Sequence, residues 1–255
     1  MGDARRVLMA ALLKKRGEYR RFWLDFTVGL AIKFIFFLGT LYAIPVETGR
    51  EAAARVFGFS LWYLSAHLVA KLGNAALEEA YLGTLEQVLS TRTRPGILLL
   101  GTIVAELLLS TLWVALFLVL ATAILGPRRL WTGAAAIAVP AAVFGLAGLA
   151  GMTGVGLLIM GVSLRFKQVG AVTEVILYYM LVFSGFFLPA GSLPRGFHAL
   201  NGLSPLAWAV RGVLEGWRVF GPACLVAACW LAAGVAVLLS QWNWSRRAGR
   251  LGSYV

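Results

Sequence analysis

The sequence predicts an all-α polytopic membrane protein. Its expected parts are six transmembrane helices, an N-terminal interfacial amphipathic helix and re-entrant helices between spans five and six, with both termini cytoplasmic. Two observations carry the class and a third carries the orientation. Of 255 residues, 60% are hydrophobic and 13% charged, with mean hydropathy +0.82. A soluble domain carries about 45–50% apolar and about 25% charged residues, so this chain has too little polar surface to cover itself in water. The apolar residues gather in six segments, near 24–45, 53–76, 96–126, 131–164, 169–190 and 220–242. About 20 residues cross a hydrocarbon core of about 30 Å. Finally, the basic residues are shared unequally between alternate connections.

Residues 1–21 hold Arg5, Arg6, Lys14, Lys15, Arg16, Arg20 and Arg21, with Val7, Leu8, Ala11, Leu12 and Tyr19 among them. That mixture suits a helix in the headgroup region, apolar side down and basic side toward phosphates. The first apolar run follows about twenty polar-to-amphipathic residues and lacks a small-residue cleavage site, so it reads as a retained span rather than a signal peptide. Residues 22–255 then form one six-span domain.

Six spans put both ends on one side. With the N-terminal arm go Lys71, Arg92, Arg94, Arg165, Lys167, Arg246, Arg247 and Arg250, fifteen Lys and Arg in all. The opposite side has seven, at Arg50, Arg55, Arg128, Arg129, Arg195, Arg211 and Arg218. The richer side belongs in the cytoplasm. The formal net charge of +12 is therefore read as membrane topology, with no nucleic-acid partner, and the lipid bilayer as the surface it meets.

The first span carries Lys33 and the third Glu106, each about ten residues, or about 15 Å, from the cytoplasmic end of its segment. An unpaired charge at that depth costs about 2.5–3.5 kcal/mol on insertion scales, which points to a Lys33–Glu106 pair. The bland alternative is that Lys33 snorkels and Glu106 is protonated. His67 and His198 lie on different stretches and read as structural histidines.

Between spans two and three the chain turns acidic and amphipathic, "EEAYLGTLEQVLSTRTRP". Leu82, Leu85 and Leu89 recur at helical spacing, while Glu79 and Glu86 lie elsewhere around the helix. Acids at Glu78, Glu79 and Glu86 would meet anionic headgroups if this helix, about 78–92, lay on lipid. A groove on another protein is the alternative that its apolar stripe fits.

The third and fourth segments exceed the length of a crossing, so tilt, protrusion or a break is expected. In the fourth, Ala147 and Gly151 form a small-xxx-small pair, for close packing inside the chain or for a dimer face. After the fifth, "SGFFLPAGSLPRGFHALNGLSPLAWAVRGVLEGWR" is too apolar for a solvated loop and too interrupted for a span. Short helices returning into the outer leaflet, over about 189–218, explain both properties. Cys224 and Cys229 match no zinc or redox spacing, and no metal ligand set can be assembled. The chain lacks a phosphate-cradling G-x-x-x-x-G-K-[ST] loop and any constellation of catalytic residues. It reads as no enzyme.

Two stretches resemble a known family. Gly83, Thr84, Leu85 and Glu86, after the acidic pair, are similar to the coupling helix of the type-two ABC exporter permeases, with Arg92 where that family often has proline. "FSGFFLPAGSLP" and "LSPLAWAVRG" resemble its re-entrant segment, through Pro189, Leu193, Pro194, Pro205, Leu206 and Arg211, with Ser204 in place of the more usual asparagine. "GVSLRFKQVG" is similar to the family's short cytoplasmic turn.

The resemblance implies a permease in the cytoplasmic (inner) membrane of a bacterium or archaeon, paired with a second permease subunit as a homodimer or heterodimer. It also implies a separate ATP-binding cassette subunit docked on Glu78, Glu79, Leu82, Gly83, Thr84, Leu85, Glu86 and Leu89. This chain would bind no cofactor, ATP and Mg belonging to that partner. The cargo would be a hydrophobic or amphiphilic molecule, a drug, lipid or lipid-linked glycan. Phe37, Tyr178 and Phe183 are open to two readings, lining its path or facing lipid. The competing classes are an ATP-independent channel or secondary transporter, and a membrane scaffold protein.

Overall fold

The computed structural model describes residues 2–43, 48–81, 95–166, 168–186 and 194–247. Helix α1 covers Gly2–Arg21, α2 Trp23–Ala43, α3 Gly49–Tyr81, α4 Pro95–Leu125 and α5 Pro127–Phe166; α6 is Gly170–Val182, α7 His198–Leu203, α8 Pro205–Glu215 and α9 Phe220–Arg247. Pro95, Pro127 and Pro205 each open a helix, where a missing N–H leaves no bond unmade. Helices α2, α3, α4, α5, α6 and α9 fall on the six predicted segments. Among the described residues, three stretches, Leu100–Leu125, Leu130–Phe166 and Pro205–Ser245, are long and apolar enough to cross a membrane. This is a polytopic membrane protein.

Two boundaries differ from expectation, and a third helix shows which of the expected outcomes its length takes. The fifth segment, expected to reach residue 190, is helical only to Val182, 13 residues or about 20 Å. Gly185, at φ 83°, turns the chain there, in a region that glycine enters without steric cost. Helix α3 runs for 33 residues, about 50 Å, so Glu78 and Glu79 belong to its last turn rather than to a new helix. Helix α5, 40 residues with Pro140 inside it, neither breaks nor ends; at about 60 Å it is twice as long as the hydrocarbon core is thick. Leu82, Gly83, Thr84, Leu85, Glu86 and Leu89 lie outside the described residues, as do Pro189 and Leu193.

Helix α5 is the axis of the packing. Helices α3 and α9 lie along it and α8 fits across all three. Lipid tails are as apolar as leucine, so helices in a bilayer are held by close contact rather than by exclusion of water. Glycine makes that contact possible. A Cβ on Gly234 would stand 2.0 Å from the Gly154 carbonyl oxygen, and one on Gly154 would stand 2.4 Å from the Trp230 backbone. Gly151 meets Pro205 and Ala227, so the Ala147–Gly151 stripe is used inside the chain. Helix α4 packs on α3, and α1 on α4, where Val7 occupies the space above Gly101.

Helix α2 is held differently. Apart from its junction with α1 it makes only isolated close backbone approaches, and it reaches the others through side chains. Phe37 is fully buried, its ring 4.8 Å from that of Phe59 and 4.3 Å from that of Phe117.

The helix ends gather into two groups. At one end Arg50, in the first turn of α3, donates to the carbonyls of Val213 and Leu214 at 3.0 and 3.1 Å, and Gly49 touches Gly133 of α5. At the other, Lys71 of α3 pairs with Glu18 of α1 at 3.6 Å, and Arg165 of α5 lies over the Trp244 ring of α9 at 5.3 Å.

Candidate functional site

Two constellations stand out. The first follows α6. Its centre is Asn201 of α7, fully buried. The side-chain amide of Asn201 donates to the Phe183 carbonyl at 3.0 Å, and its Oδ1 accepts from the Arg211 guanidinium of α8. Those two partners fix which end of the amide is which. The Trp208 indole donates to the Gly202 carbonyl at 2.7 Å, that of Trp230 donates to the Leu203 carbonyl at 2.8 Å, and the Tyr179 hydroxyl donates to the Leu200 carbonyl. Four carbonyls around a short helix, which no regular helix would satisfy, thus find donors.

Why α8 starts where it does is local chemistry. Ser204 is extended, and its hydroxyl accepts from the Ala207 N–H at 3.3 Å, a capping bond of the usual kind. Pro205 follows at the first helical position, and Pro205 and Leu206 are buried against the α3–α5 pair. Pro194 is exposed and precedes a 3₁₀ turn, Arg195–Phe197. Arg211 lies over the Trp208 ring at 5.1 Å. The arrangement anchors α7 to its neighbours through side-chain bonds to the carbonyls of Phe183, Leu200, Gly202 and Leu203.

The second constellation lies between α2, α3 and α4. The Lys33 ammonium is 3.2 Å from His67 Nε2 and 4.9 Å from the centre of the Tyr63 ring. His67 Nδ1 is 4.0 Å from Glu106 Oε1, an electrostatic contact too long for a hydrogen bond. Glu106 is buried. The structure thus brings Lys33 and Glu106 to one place, with His67 between them. His67, read from the sequence as structural, is the middle member of a three-residue chain across three helices. With Lys33 as an ammonium, which only donates, Nε2 is the acceptor and the imidazole proton belongs on Nδ1, toward the carboxylate.

The sequence held a usable signal for this. His67 lies about as far from the end of its segment as Lys33 and Glu106 do from theirs, and groups at one depth on adjacent helices can meet. For Asn201 the signal was a lone amide in an otherwise apolar stretch, ten residues before Arg211. For Arg50 there was none, because its partners are backbone carbonyls far along the chain.

The proposed path residues separate. Phe37 is in the core described above. Tyr178 of α6 is 62% exposed, whereas the Phe183 ring packs at 5.2 Å from Tyr179 and 6.0 Å from Phe197. Beside Lys33, Ser60 and Trp113 there is a cavity of about 10 Å³, room for about one water. No amphiphile fits there. His198 is exposed at the start of α7.

Long apolar helices about a glycine-lined axis, followed after α6 by the short α7 and α8, are the architecture of a polytopic membrane protein. The chain belongs to the ABC-2 type transporter family, whose model matches residues 11–216. It is the permease component of a type-two ABC transporter, a family that generally works with an ATP-binding subunit in a membrane complex. Comparison with curated proteins gave no match.

Proposed function

We propose that this chain is the membrane half of an ATP-driven exporter. Two permeases pair, and a separate ATP-binding cassette subunit, carrying ATP and Mg, docks on the acidic segment 78–92 of each. A hydrophobic or amphiphilic cargo (a drug, a lipid or a lipid-linked glycan) moves outward between them. The chain itself has no ATPase site. Its six apolar segments cross the membrane, α1 lies in the cytoplasmic headgroup layer, and both termini are inside. The α7–α8 pair is the re-entrant element of the outer leaflet. The observation that carries this is the family match, which spans both the acidic segment and the α7–α8 pair.

The geometry supplies a transmission route. Helix α3 is one uninterrupted rod from Arg50 to Glu78 and Glu79. At one end it leads directly into the acidic segment; at the other, Arg50 holds the last carbonyls of α8. A push on the cytoplasmic end therefore reaches α8 without crossing a hinge within the described helix. Because the space beside Lys33 is water-sized, the path for cargo is assigned to the interface between permeases.

Copurification from nanodiscs tests the assignment. The expected result is a bound P-loop ATPase that Leu85→Arg releases while the permease remains folded. A chain that purifies alone, and that conducts ions without ATP, would instead establish the channel reading.

A further inference from the structure

The Lys33–His67–Glu106 chain has a property that export alone does not require. We propose that His67 is a proton-binding site whose occupancy decides whether α2 is latched to the rest of the permease.

The argument begins with how α2 is held. Other long helices share extended backbone contact with a neighbour, whereas beyond its junction with α1 helix α2 has only isolated approaches. Its attachments are side chains. Phe37 and Phe34 reach the Phe117 ring at 4.3 and 5.8 Å. A polar link joins α2 to α3, from Lys33 to His67 at 3.2 Å.

That link depends on the imidazole being neutral. Nε2 can accept from the ammonium only while it carries a lone pair. A proton arriving there from the aqueous side makes Nε2 a donor, facing an ammonium 3.2 Å away. Two cations then oppose one another in a medium of low dielectric, where like charges repel strongly. The same proton strengthens the attraction between Nδ1 and Glu106 of α4, at 4.0 Å. Protonation thus pulls His67 toward α4 and expels Lys33, and with it α2.

Histidine is the side chain whose ordinary value, about 6.5, falls within the physiological range. Lys33 from α2 and Glu106 from α4 face it. On its own helix, Tyr63 stacks on it at 4.6 Å, and Lys71, one turn on, is paired with Glu18 of α1. The arms of the switch therefore lie on three helices, and only the arm on α2 is broken by the proton.

The test is a distance distribution between spin labels in nanodiscs, on the full chain with Cys224 and Cys229 replaced by Ala. One label goes on α2 (Ile35→Cys) and one on α5 (Leu146→Cys), both exposed positions. A second pair, Leu146→Cys with Leu225→Cys on α9, serves as an internal reference. At pH 8 the α2–α5 distribution is expected to be narrow; at pH 5 a longer, broader component replaces it, and the reference pair is unchanged. His67→Gln, whose amide accepts from Lys33 and donates toward Glu106 without titrating, should remain narrow at both pH values. Lys33→Met should be broad at both.

The proposal is overturned if the wild-type distribution is the same at pH 8 and pH 5. It is equally overturned if His67→Gln broadens as the wild type does, if Lys33→Met stays narrow, or if the reference pair moves too. None of these readings needs ATP or a partner subunit, so the exporter assignment can fail without affecting them.

Discussion

The α7–α8 pair and helix α2 both carry polar groups among apolar helices, and they are secured in opposite ways. Around Asn201 the polar side chains bond chiefly to backbone carbonyls, and Pro205 and Leu206 are driven into the packed α3–α5 axis. Such bonds do not titrate. Around Lys33 the link is side chain to side chain, through an imidazole that does. A fold that anchors one element to backbone and another to a titratable ring has made the first fixed and the second adjustable. In the exporter reading this is sensible, because the outer element receives force through α3.

The largest effect expected on the fixed side is at the glycine contact. Gly234→Val puts two methyls where a single Cβ would already stand 2.0 Å from the Gly154 carbonyl. Overpacking typically costs about 1–3 kcal/mol, and a backbone clash belongs at or above the top of that range. Gel filtration should show loss of the monodisperse folded species.

Next is Asn201→Leu. It removes the donor to Phe183 and leaves the Arg211 guanidinium without its acceptor. A hydrogen bond to a charged group is worth about 1.5–3 kcal/mol. The denaturation midpoint should fall accordingly, by the same amount at pH 8 and pH 5. A pH-dependent loss would blur the contrast between the two regions.

On the adjustable side, Lys33→Met and Glu106→Gln should each lower stability modestly. In a double-mutant cycle they should be coupled by about 0.5–1 kcal/mol while His67 is present. With His67→Ala as background the coupling should vanish; persistence would mean that lysine and carboxylate interact directly. The smallest effect is at Arg50→Gln, about 0.5 kcal/mol, the low end for hydrogen bonds because these two to carbonyls are partly exposed. Its informative readout is transport rather than stability, because it cuts the contact between α3 and α8.

The helices themselves were legible in the sequence, because runs of twenty apolar residues leave a backbone in lipid little choice but to satisfy itself helically. Where expectation erred, the cause was local or long-range. The fifth segment looked continuous to 190 because Ser184-Gly185-Phe186 is apolar enough to belong to a span; the turn at Gly185 is conformational and leaves hydropathy unchanged. Helix α3 was expected to stop before Glu78, yet nothing between Lys71 and Tyr81 breaks a helix except Gly73, which is tolerated in an interior.

The polar chain was half legible. Depth alone brought Lys33 toward Glu106, but a one-dimensional count cannot place a third group between two others. The family likeness was carried by short motifs in order, Gly83 to Glu86 and Pro205 to Arg211, and the family match spans both. The backbone-directed bonds of Asn201 and Arg50 had no such signature, since every residue offers a carbonyl.

ATPase activity of the complex in nanodiscs tests the central claim most directly, measured for the wild-type chain and for Leu85→Arg with matched amounts of permease. The account predicts a bound ATPase whose activity is carried by the wild-type complex and is lost from the Leu85→Arg preparation. A wild-type preparation that contains no ATPase, or an activity that Leu85→Arg leaves bound and unchanged, would contradict it.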